Sequence, residues 1–514
     1  MRTKQQPILN KRQAGVILHP TSLPGPNQQG DLGPEAYHFV DFLKDCGLSV
    51  WQVLPINPTH EDRSPYMSTS VFAGNPDLIS LDLLVTWGWL PDNLRTPTDE
   101  KKHQKLVAAK RRFSQQASSA DIAALQEFVQ GNQYWLTDYA LFQAIKAEHG
   151  SKSWVDWPVA LRDRDADAIS TATSQLKEEI EQIYFEQFVF FKQWLALKQY
   201  ANDRHVQMVG DMPIFVAHDS AEVWTYRHYF DLNADGSPRV IAGVPPDYFS
   251  ATGQRWGNPL YLWQRMKGDG YRWWVERCKV GFTLYDFIRI DHFRGFEAFW
   301  EIDAAEKTAE RGHWVKGPGA DLFNALLKSG LTSGQSSGDQ STQQSDESSS
   351  QRLAFIAEDL GIITEEVNAL RLAFGWPGMK ILQFAFDGDA DNAYLPHNVE
   401  QNSVMYTGTH DNDTTLSWYQ QLPQAQQAHV KAYLATNGES VMPWALIRSA
   451  LASVSLWAII PMQDLLSLGK GHRMNTPGVT ADNWRWRFQW EQLNADVPSK
   501  IKSQIKLYGR YQHK

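Results

Sequence analysis

The amino-acid sequence predicts an α/β fold: a (β/α)8 TIM barrel with large, mostly helical insertions between its strands. Eight short apolar runs recur along the 514 residues, and several are nearly continuous in hydrophobicity. Such runs are typical of parallel strands that are buried on both faces. Segments with helical periodicity separate most of them. Eight strands alternating with helices indicate a barrel, although a doubly wound parallel sheet gives the same pattern and stays open as an alternative.

The predicted strands extend along nearly the whole chain. They cover residues 15–19, 49–56, 206–215, 284–291, 353–360, 379–386, 403–411 and 454–462. Each is a short run of apolar and β-branched residues, often bounded by polar or turn-forming residues. The clearest helical periodicity covers residues 134–150, 175–201 and 321–328.

Two segments depart from the regular alternation. The interval between the second and third strands is too long for one helix, so residues 60–180, approximately, are predicted to form an inserted helical subdomain of a single barrel domain spanning 1–514. Residues 331–351 are rich in Ser and Gln and nearly devoid of apolar side chains, which predicts a disordered loop. This loop follows a helix and precedes a strand, so we expect it at the N-terminal rim of the barrel.

Composition and charge exclude several classes of partner. The formal net charge of −9 comes without a basic stripe, which argues against a nucleic-acid partner. No stretch approaches the ~20 apolar residues of a membrane helix, and no apolar signal-peptide region precedes Gly15. Cys46 and Cys278 show neither metal-ligand spacing nor a disulfide framework. We therefore expect a cytoplasmic protein, whose 63 Trp, Tyr and Phe residues include flat faces for sugars.

Polar residues follow the C-terminal ends of the predicted strands, where the side chains of a barrel converge. They are Asp211, Asp291, Glu358, Asp359, Asp387, His410 and Asp411. A helix cap or a structural ion pair explains any single one of them. Acids at successive strand ends instead predict a catalytic cluster. Metal binding is the alternative for such a cluster, but we predict neither a metal nor a cofactor.

This cluster has the composition that retaining glycosyl transfer requires: an ionised carboxylate as nucleophile and a protonated carboxyl group as acid. Arg289 precedes Asp291 by two residues and faces the same way. Its charge would keep Asp291 ionised. Glu358 lies in the apolar run AFIAEDLG, where burial would raise its pKa and let it carry the proton.

Several motifs resemble those of a known family. RIDHFRG (289–295), AEDLG (357–361) and THDND (409–413), preceded by GDMPIFV (210–216), are similar to the conserved regions of the α-amylase clan and occur in the same order. More narrowly, the chain resembles the amylomaltases, which are 4-α-glucanotransferases. That resemblance depends on the motifs in residues 51–76, 245–261, 374–386 and 473–478, and it extends from about Gly15 to the C-terminus.

The resemblance implies transfer of an α-1,4-glucan segment to the 4-OH of glucose or a maltodextrin. It implies Asp291 as nucleophile, Glu358 as general acid/base and Asp411 as transition-state stabiliser. It also implies substrate contacts from Arg289, His410, Asp211, Tyr66, Trp256 and Asn258. Amylases commonly carry an Asn-His pair after Asp211, in a region linked to calcium. This chain has Met-Pro there, so the resemblance implies no calcium site.

The catalytic acids do not distinguish transfer from hydrolysis, because both reactions use them. Residues 245–257 are predicted to form a lid in which Tyr248, Phe249 and Trp256 close over bound glucan and exclude water. An α-glucan hydrolase and a non-catalytic glycan-binding protein stay open as alternatives. The last predicts the loss of a central acid, and all three acids are present.

Overall fold

The computed structural model describes most of the chain, namely residues 8–25, 29–95, 101–246, 250–331, 352–436, 442–479 and 481–512. Its strands are β1 (Gln13–Ile17), β2 (Val50–Gln52), β3 (Gln207–Pro213), β4 (Val240–Val244), β5 (Gln254–Pro259), β6 (Phe287–Asp291), β7 (Ala298–Asp303), β8 (Gly312–Lys316), β9 (Phe355–Ala357), β10 (Gly378–Ile381), β11 (Ser403–Tyr406) and β12 (Trp457–Pro461).

The helices occupy most of the intervals between these strands. They are α1 (Pro34–Cys46), α2 (Leu81–Thr86), α3 (Lys102–Gln116), α4 (Ser119–Gly131), α5 (Gln133–Glu148), α6 (Val159–Arg162), α7 (Ala166–Gln175), α8 (Lys177–Asn202), α9 (Ala221–Thr225), α10 (Trp263–Gly268), α11 (Arg272–Leu284), α12 (Ala320–Lys328), α13 (Glu365–Ala373), α14 (Thr415–Gln421), α15 (Gln424–Tyr433), α16 (Trp444–Ala452), α17 (Met462–Leu465) and α18 (Val497–Leu507).

Eight parallel strands close into a barrel in the order β1-β12-β11-β10-β9-β6-β3-β2. Closure occurs between the first and last strands, where Gln13 pairs with Trp457 and Ile17 pairs with Pro461. The predicted barrel is therefore confirmed. A doubly wound sheet is excluded because an open sheet would leave β1 and β12 apart.

All eight predicted strands overlap barrel strands, but only the strand predicted over 284–291 ends where its barrel strand ends. The other seven are too long at their C-terminal ends, four of them by three residues or more, including the strand predicted over 49–56, which ends at Gln52. The strand predicted over 379–386 ends at Ile381, and the chain continues as a 3-10 helix over Leu382–Phe384. The strands predicted over 353–360 and 403–411 end at Ala357 and Tyr406. Apolar residues beyond these points pack in loops, so hydrophobicity alone marks the strand ends poorly.

The interval between β2 and β3 contains helices α2 to α8, in agreement with the helical periodicity there. The pattern over 134–150 corresponds to α5, and the pattern over 175–201 corresponds to α8. Helix α8 packs against the barrel: Trp194 is fully buried and donates from its indole nitrogen to the carbonyl of Leu284 at 2.9 Å. The assignment of residues 60–180 as a separate subdomain stays a prediction.

A second, four-stranded antiparallel sheet has the order β5-β4-β7-β8, and the sequence analysis does not predict it. Strands β4 and β5 belong to the connection after β3, and β7 and β8 belong to the connection after β6. The sheet therefore joins two of the loops that follow barrel strands. Because β5 includes Trp256 and Asn258, this sheet also positions two of the candidate substrate contacts.

The barrel interior is packed with alternate residues from successive strands. One buried cluster combines Ile17, Val50, Val209, Ile356, Met379, Ile381, Val404, Tyr406, Trp457 and Ile459, and Phe287 of β6 packs against it. Because side chains alternate along a strand, Arg289 and Asp291 lie on the same inward side as Phe287. Among the described residues, no helix is long and apolar enough to cross a membrane.

Glycine at position 210 of β3 is required by close packing. A Cβ atom at Gly210 would lie 2.2 Å from the ring of Tyr285, whereas a Cβ atom at Gly131, the last residue of α4, would meet nothing within 4 Å. We expect Gly210→Ala to lower the free energy of unfolding by about 1–3 kcal/mol through overpacking. The matched variant Gly131→Ala should leave it unchanged or raise it by up to about 1 kcal/mol. Urea unfolding followed by tryptophan fluorescence measures both, and equal effects would contradict the packing argument.

Candidate active site

The candidate active site lies at the C-terminal ends of β3, β6 and β9. Asp291 is the last residue of β6, and Glu358 directly follows β9. The two strands are adjacent and parallel, with Ile290 paired to Ala357. Asp291 and Glu358 are the residues directly after this pair, so they lie next to each other at the C-terminal end of the barrel.

A buried arginine connects the acids of β3 and β6. One terminal nitrogen of Arg289 contacts both carboxylate oxygens of Asp211, at 2.8 and 2.6 Å, and the other lies 2.8 Å from Asp291 Oδ1. The Arg289 side chain is 4% exposed, the Asp211 side chain 0% and the Asp291 side chain 29%. Asp211 is thus an internal counter-ion, while Asp291 is the partner of Arg289 that reaches the site.

Glu358 is buried and anchored by backbone groups. Its two oxygens accept hydrogen bonds from the backbone N–H groups of His292 and Leu360 at 2.7 and 2.9 Å. His292 has a φ of +53°, a conformation uncommon in a non-glycine residue. Burial raises the pKa of Glu358 to about 8; Arg289 lowers this pKa in part, and the charge of Asp291 raises it further.

Asp291 has a lower pKa than Glu358, in the order that the sequence analysis predicts. Burial raises the pKa of Asp291 to about 6. The charge of Arg289 acts to lower this pKa, and the charge of Asp211 acts against Arg289 by raising it. Arg289 is therefore a weaker stabiliser of ionised Asp291 than expected, since it is shared with a second carboxylate. Near neutral pH, Asp291 is nevertheless mainly ionised and Glu358 mainly protonated.

Asp411 approaches the site from the loop after β11 and is the most exposed of the three acids, with 44% of its side chain accessible. Asn475 donates to its Oδ1 at 2.6 Å, and His410 Nε2 lies 3.3 Å from its Oδ2. Burial alone would raise the pKa of Asp411, but His410 and Asn475 outweigh that effect and hold the pKa well below its usual value. Asp411 is therefore ionised.

Asn475 is a candidate site residue that the sequence analysis missed, although it lies within the family motif at residues 473–478. Its neighbour Arg473 donates to the backbone carbonyls of Asp411 and Asn475, the latter at 2.5 Å. The Asn475 backbone N–H in turn donates to the carbonyl of His410 at 3.1 Å. Arg473 and Asn475 thus form one structural unit with His410 and Asp411, more than 60 positions earlier in the chain. In the sequence, only the family motif at residues 473–478 could have indicated this role.

Tyr66 connects Asp211 of β3 with His410 of the loop after β11. Its hydroxyl lies 2.7 Å from Asp211 Oδ2 and 2.8 Å from His410 Nε2. The Tyr66 and His410 rings stack with their centroids 5.3 Å apart, and Trp484 packs against both. A cavity of about 390 Å³ adjoins Trp484, and its size is typical of a ligand-binding cleft.

The remaining predicted contacts lie on or near β5. The Trp256 ring meets His292 edge to face, with centroids 4.8 Å apart, which places Trp256 beside the loop that anchors Glu358. Asn258 is buried, and its amide nitrogen donates to the Val216 carbonyl at 2.9 Å, so its visible role is structural. Tyr248 and Phe249 of the predicted lid lie outside the described residues.

Two acids of the predicted strand-end series do not join the site. Asp359 accepts a hydrogen bond from the Met379 N–H at 2.7 Å and lies 3.4 Å from Arg371, because alternation points it away from Glu358. Asp387 is exposed and bonds to Asp389 and Asn392 of its own loop. Asp387 lies six residues beyond the end of β10. The sequence analysis placed it at a strand end because the predicted strand was too long.

A metal-binding alternative finds no support in the described part of the chain. Among those residues, no three or more His, Cys, Asp or Glu side chains lie together in a way that could hold a metal ion. The site carries its own cation, Arg289, between Asp211 and Asp291. The arrangement can therefore supply an anionic nucleophile and a neutral acid.

Comparison with known proteins gives consistent results across nearly the entire chain. The family model described as 4-alpha-glucanotransferase matches residues 18–493. The 4-alpha-glucanotransferase of Synechocystis sp. is 45% identical, covering 98% of this chain and 99% of that protein. That of Thermus thermophilus is 44% identical, covering 97% and 99%.

Solved structures agree with this result. The amylomaltase from Streptococcus agalactiae, solved in complex with acarbose, has a TM-score of 0.90 and 36% identity, covering 98% of this chain and 100% of that one. The amylomaltase from Corynebacterium glutamicum has a TM-score of 0.74 at 16% identity, covering 98% and 75%, which shows the shared fold. Fold, site geometry and sequence relatives agree, and the chain belongs to the 4-alpha-glucanotransferase family.

Proposed function

We propose that this chain transfers a segment of an α-1,4-glucan to the 4-OH of glucose or a maltodextrin, with retention of configuration at C1. The observation that carries this proposal is the pairing of Asp291 and Glu358 at adjacent strand ends with different protonation states. A retaining mechanism requires one ionised and one protonated carboxyl group on neighbouring positions. Family membership supports the same reaction class.

In the first step, the Asp291 carboxylate attacks C1 of the donor glucosyl unit while Glu358 gives its proton to the glycosidic oxygen. The C1–O bond breaks, the leaving glucan departs with a new 4-OH, and a glycosyl ester forms on Asp291. Asp411 and His410 hold the hydroxyl groups of this sugar as positive charge develops on the ring. Asp411 is ionised, so it can also stabilise that charge.

In the second step, Glu358 acts as a base. Formation of the ester removes the negative charge of Asp291, and that charge is one of the causes of the raised pKa of Glu358. Loss of this repulsion lowers the pKa of Glu358, which favours proton abstraction from the acceptor 4-OH. The acceptor oxygen then attacks C1 and releases the Asp291 carboxylate.

Transfer rather than hydrolysis requires that water be kept from the ester. We propose that the segment around Trp256 contributes to this exclusion, because Trp256 packs against His292 beside Glu358. The segment is also attached to the connection between β7 and β8: the Arg255 side chain donates to the carbonyls of Ala304 and Glu306, each at 3.0 Å. A lid built from residues 245–257 stays a prediction.

Incubation with maltotriose alone tests the proposed activity. Each transfer breaks one glycosidic bond and makes one, so glucose and longer maltodextrins should appear while the total of reducing ends stays constant. Chromatography of the products and a reducing-end assay measure both quantities in the same sample. Rising reducing ends without longer products would identify a hydrolase, and no turnover would favour a glycan-binding protein.

Trapping the ester tests the assigned roles. Glu358→Gln should slow transfer between maltodextrins by about 10²–10⁴-fold, the usual contribution of a general acid. An α-maltosyl fluoride donor needs no proton for its leaving group, so this variant should still form the glycosyl ester and accumulate it. Intact-protein mass spectrometry should show one added maltosyl group, and peptide mapping should place it on Asp291.

Two matched variants control this experiment. Asp291→Asn should acquire no added mass and should lose transfer, because the nucleophile is missing. Asp387→Asn changes an acid that also follows a predicted strand but lies outside the site, so it should behave like the unmodified protein. A glycosyl ester on any residue other than Asp291 would refute the assignment.

The two carboxyl groups also predict the pH dependence. Asp291 must be ionised, so kcat/KM for maltotriose should fall as the pH drops below about 6. Glu358 must be protonated, so kcat/KM should fall as the pH rises above about 8. With α-maltosyl fluoride, only the acidic limb should remain, since the leaving group needs no acid. Persistence of the alkaline limb with the fluoride would assign it to another group.

A further inference from the structure

The hydrogen bonds of Tyr66 favour the form of neutral His410 that carries its proton on Nε2, and they are one of two influences on that choice. A phenol has a single proton to donate, and the Tyr66 oxygen lies close to both Asp211 and His410 Nε2. Asp211 is held by Arg289 as a carboxylate and can only accept. The Tyr66 proton therefore goes to Asp211, and the Tyr66 oxygen accepts a proton from His410 Nε2.

A second buried histidine, His19, lines the same small cavity as His410. His410 and His19 are 7% and 8% exposed, and within the described part of the chain Nδ1 of each has no hydrogen-bond partner. The other nitrogen of His19 is anchored by a hydrogen bond to the Leu54 carbonyl. Burial and the proximity of His410 lower the pKa of His19 to about 3, so its Nδ1 is a permanent acceptor.

A small cavity is lined by both of these histidines. Its volume is about 20 Å³, and its lining includes His19 and His410 together with Ser22 and Gln463. A single water molecule needs at least about 10–15 Å³ measured in this way and two to four polar partners. The cavity satisfies both conditions.

We propose that His19, acting through one water molecule in this cavity, is a positioning residue for His410. When His410 is in its neutral form, the water donates one proton to Nδ1 of each histidine, which leaves the His410 proton on Nε2. The chain of hydrogen bonds then extends from the Leu54 carbonyl through His19, the water, His410 and Tyr66 to Asp211. This inference depends on the proposed function only for the role of His410 toward the sugar.

The consequence for the reaction concerns the direction of the Nε2–H group. Nε2 lies 3.3 Å from Asp411 Oδ2 and 2.8 Å from the Tyr66 oxygen, so its N–H group is directed at two acceptors, which holds the His410 ring in one orientation beside Asp411. The other tautomer would present a lone pair to both Asp411 and the Tyr66 oxygen, which is repulsive. The charged or titratable groups that face His410 are Asp411, Asp291, Tyr66 and His19. The carboxylates of Asp411 and Asp291 would therefore interact less favourably with the His410 ring in the other tautomer.

Two substitutions at position 19 separate this role from a purely structural one. In His19→Gln, the amide nitrogen can keep the bond to Leu54, but no acceptor remains at the δ position. In His19→Asn, the side-chain oxygen takes the place of Nδ1. We expect kcat/KM for maltotriose to fall about tenfold in His19→Gln, mainly through kcat, and to stay within about threefold in His19→Asn, since one hydrogen bond is involved.

His218→Gln is the matched control, because His218 is also partly buried and bonds to a backbone carbonyl, that of Gly236, at 2.8 Å. It should leave kcat/KM unchanged. Equal losses in His19→Gln and His19→Asn, or a larger loss in His19→Asn, would overturn the proposal, because a structural role would depend on the bond to Leu54.

Nuclear magnetic resonance tests the tautomer without reference to activity. With ¹⁵N-labelled histidine at a pH of about 9, where imidazoles are neutral, the His410 signal can be assigned by its loss in His410→Gln. The unmodified protein should show the Nε2–H form, and His19→Gln should show a mixture of both forms. An Nδ1–H form in the unmodified protein, or an unchanged tautomer in His19→Gln, would overturn the proposal. Absence of transfer from maltotriose would instead refute the proposed function and leave the tautomer result intact.

Discussion

The candidate site depends on the buried guanidinium of Arg289. It holds Asp211 through one nitrogen and Asp291 through the other, within a barrel interior that is mostly apolar. Removing one partner of a buried ion pair leaves an uncompensated charge at a cost of several kcal/mol. Arg289 and Asp211 therefore constrain each other, and Asp291 has its geometry imposed from inside the barrel.

This constraint extends across the barrel through neutral groups. Tyr66 donates to Asp211, and His410 lies between Tyr66 and Asp411. The internal carboxylate of Asp211 is thus linked through Tyr66 to His410, which lies in the loop after β11 and far from β3 in sequence. Through these contacts, the buried ion pair of Arg289 and Asp211 is connected to Asp291 on one side of the site and to Tyr66 and His410 on the other.

The different protonation states of Asp291 and Glu358 also follow from position. Both lie at adjacent strand ends, Glu358 buried and Asp291 partly buried, but only Asp291 forms a direct ion pair with Arg289, whereas Glu358 is held by two backbone N–H groups. A full positive charge favours the ionised form more than two dipoles do. The two carboxyl groups also repel each other when both are charged, which separates their pKa values further.

The sequence by itself predicted a barrel, with a doubly wound sheet as the alternative, and it indicated the acids at the strand ends as the candidate site. Eight apolar runs sufficed for the strands, because a parallel strand buried on both faces must be apolar, and strand ends in a barrel must converge. Alternation along β6 also placed Arg289 beside Asp291 correctly. These properties depend on local periodicity and topology, and both can be read from a single chain.

Only the tertiary structure decided which strand-end acids share the site and what holds them. Asp359 and Asp387 have the same local signature as the site acids, yet one binds Arg371 and the other an exposed loop. Asn475 and His19 became recognisable only when residues distant in sequence came together around Asp411 and His410. The antiparallel sheet of β4, β5, β7 and β8 likewise could not be predicted from the sequence, because some of its strands pair across long connections. Side-chain direction at a loop and long-range pairing depend on packing, which local sequence patterns do not encode.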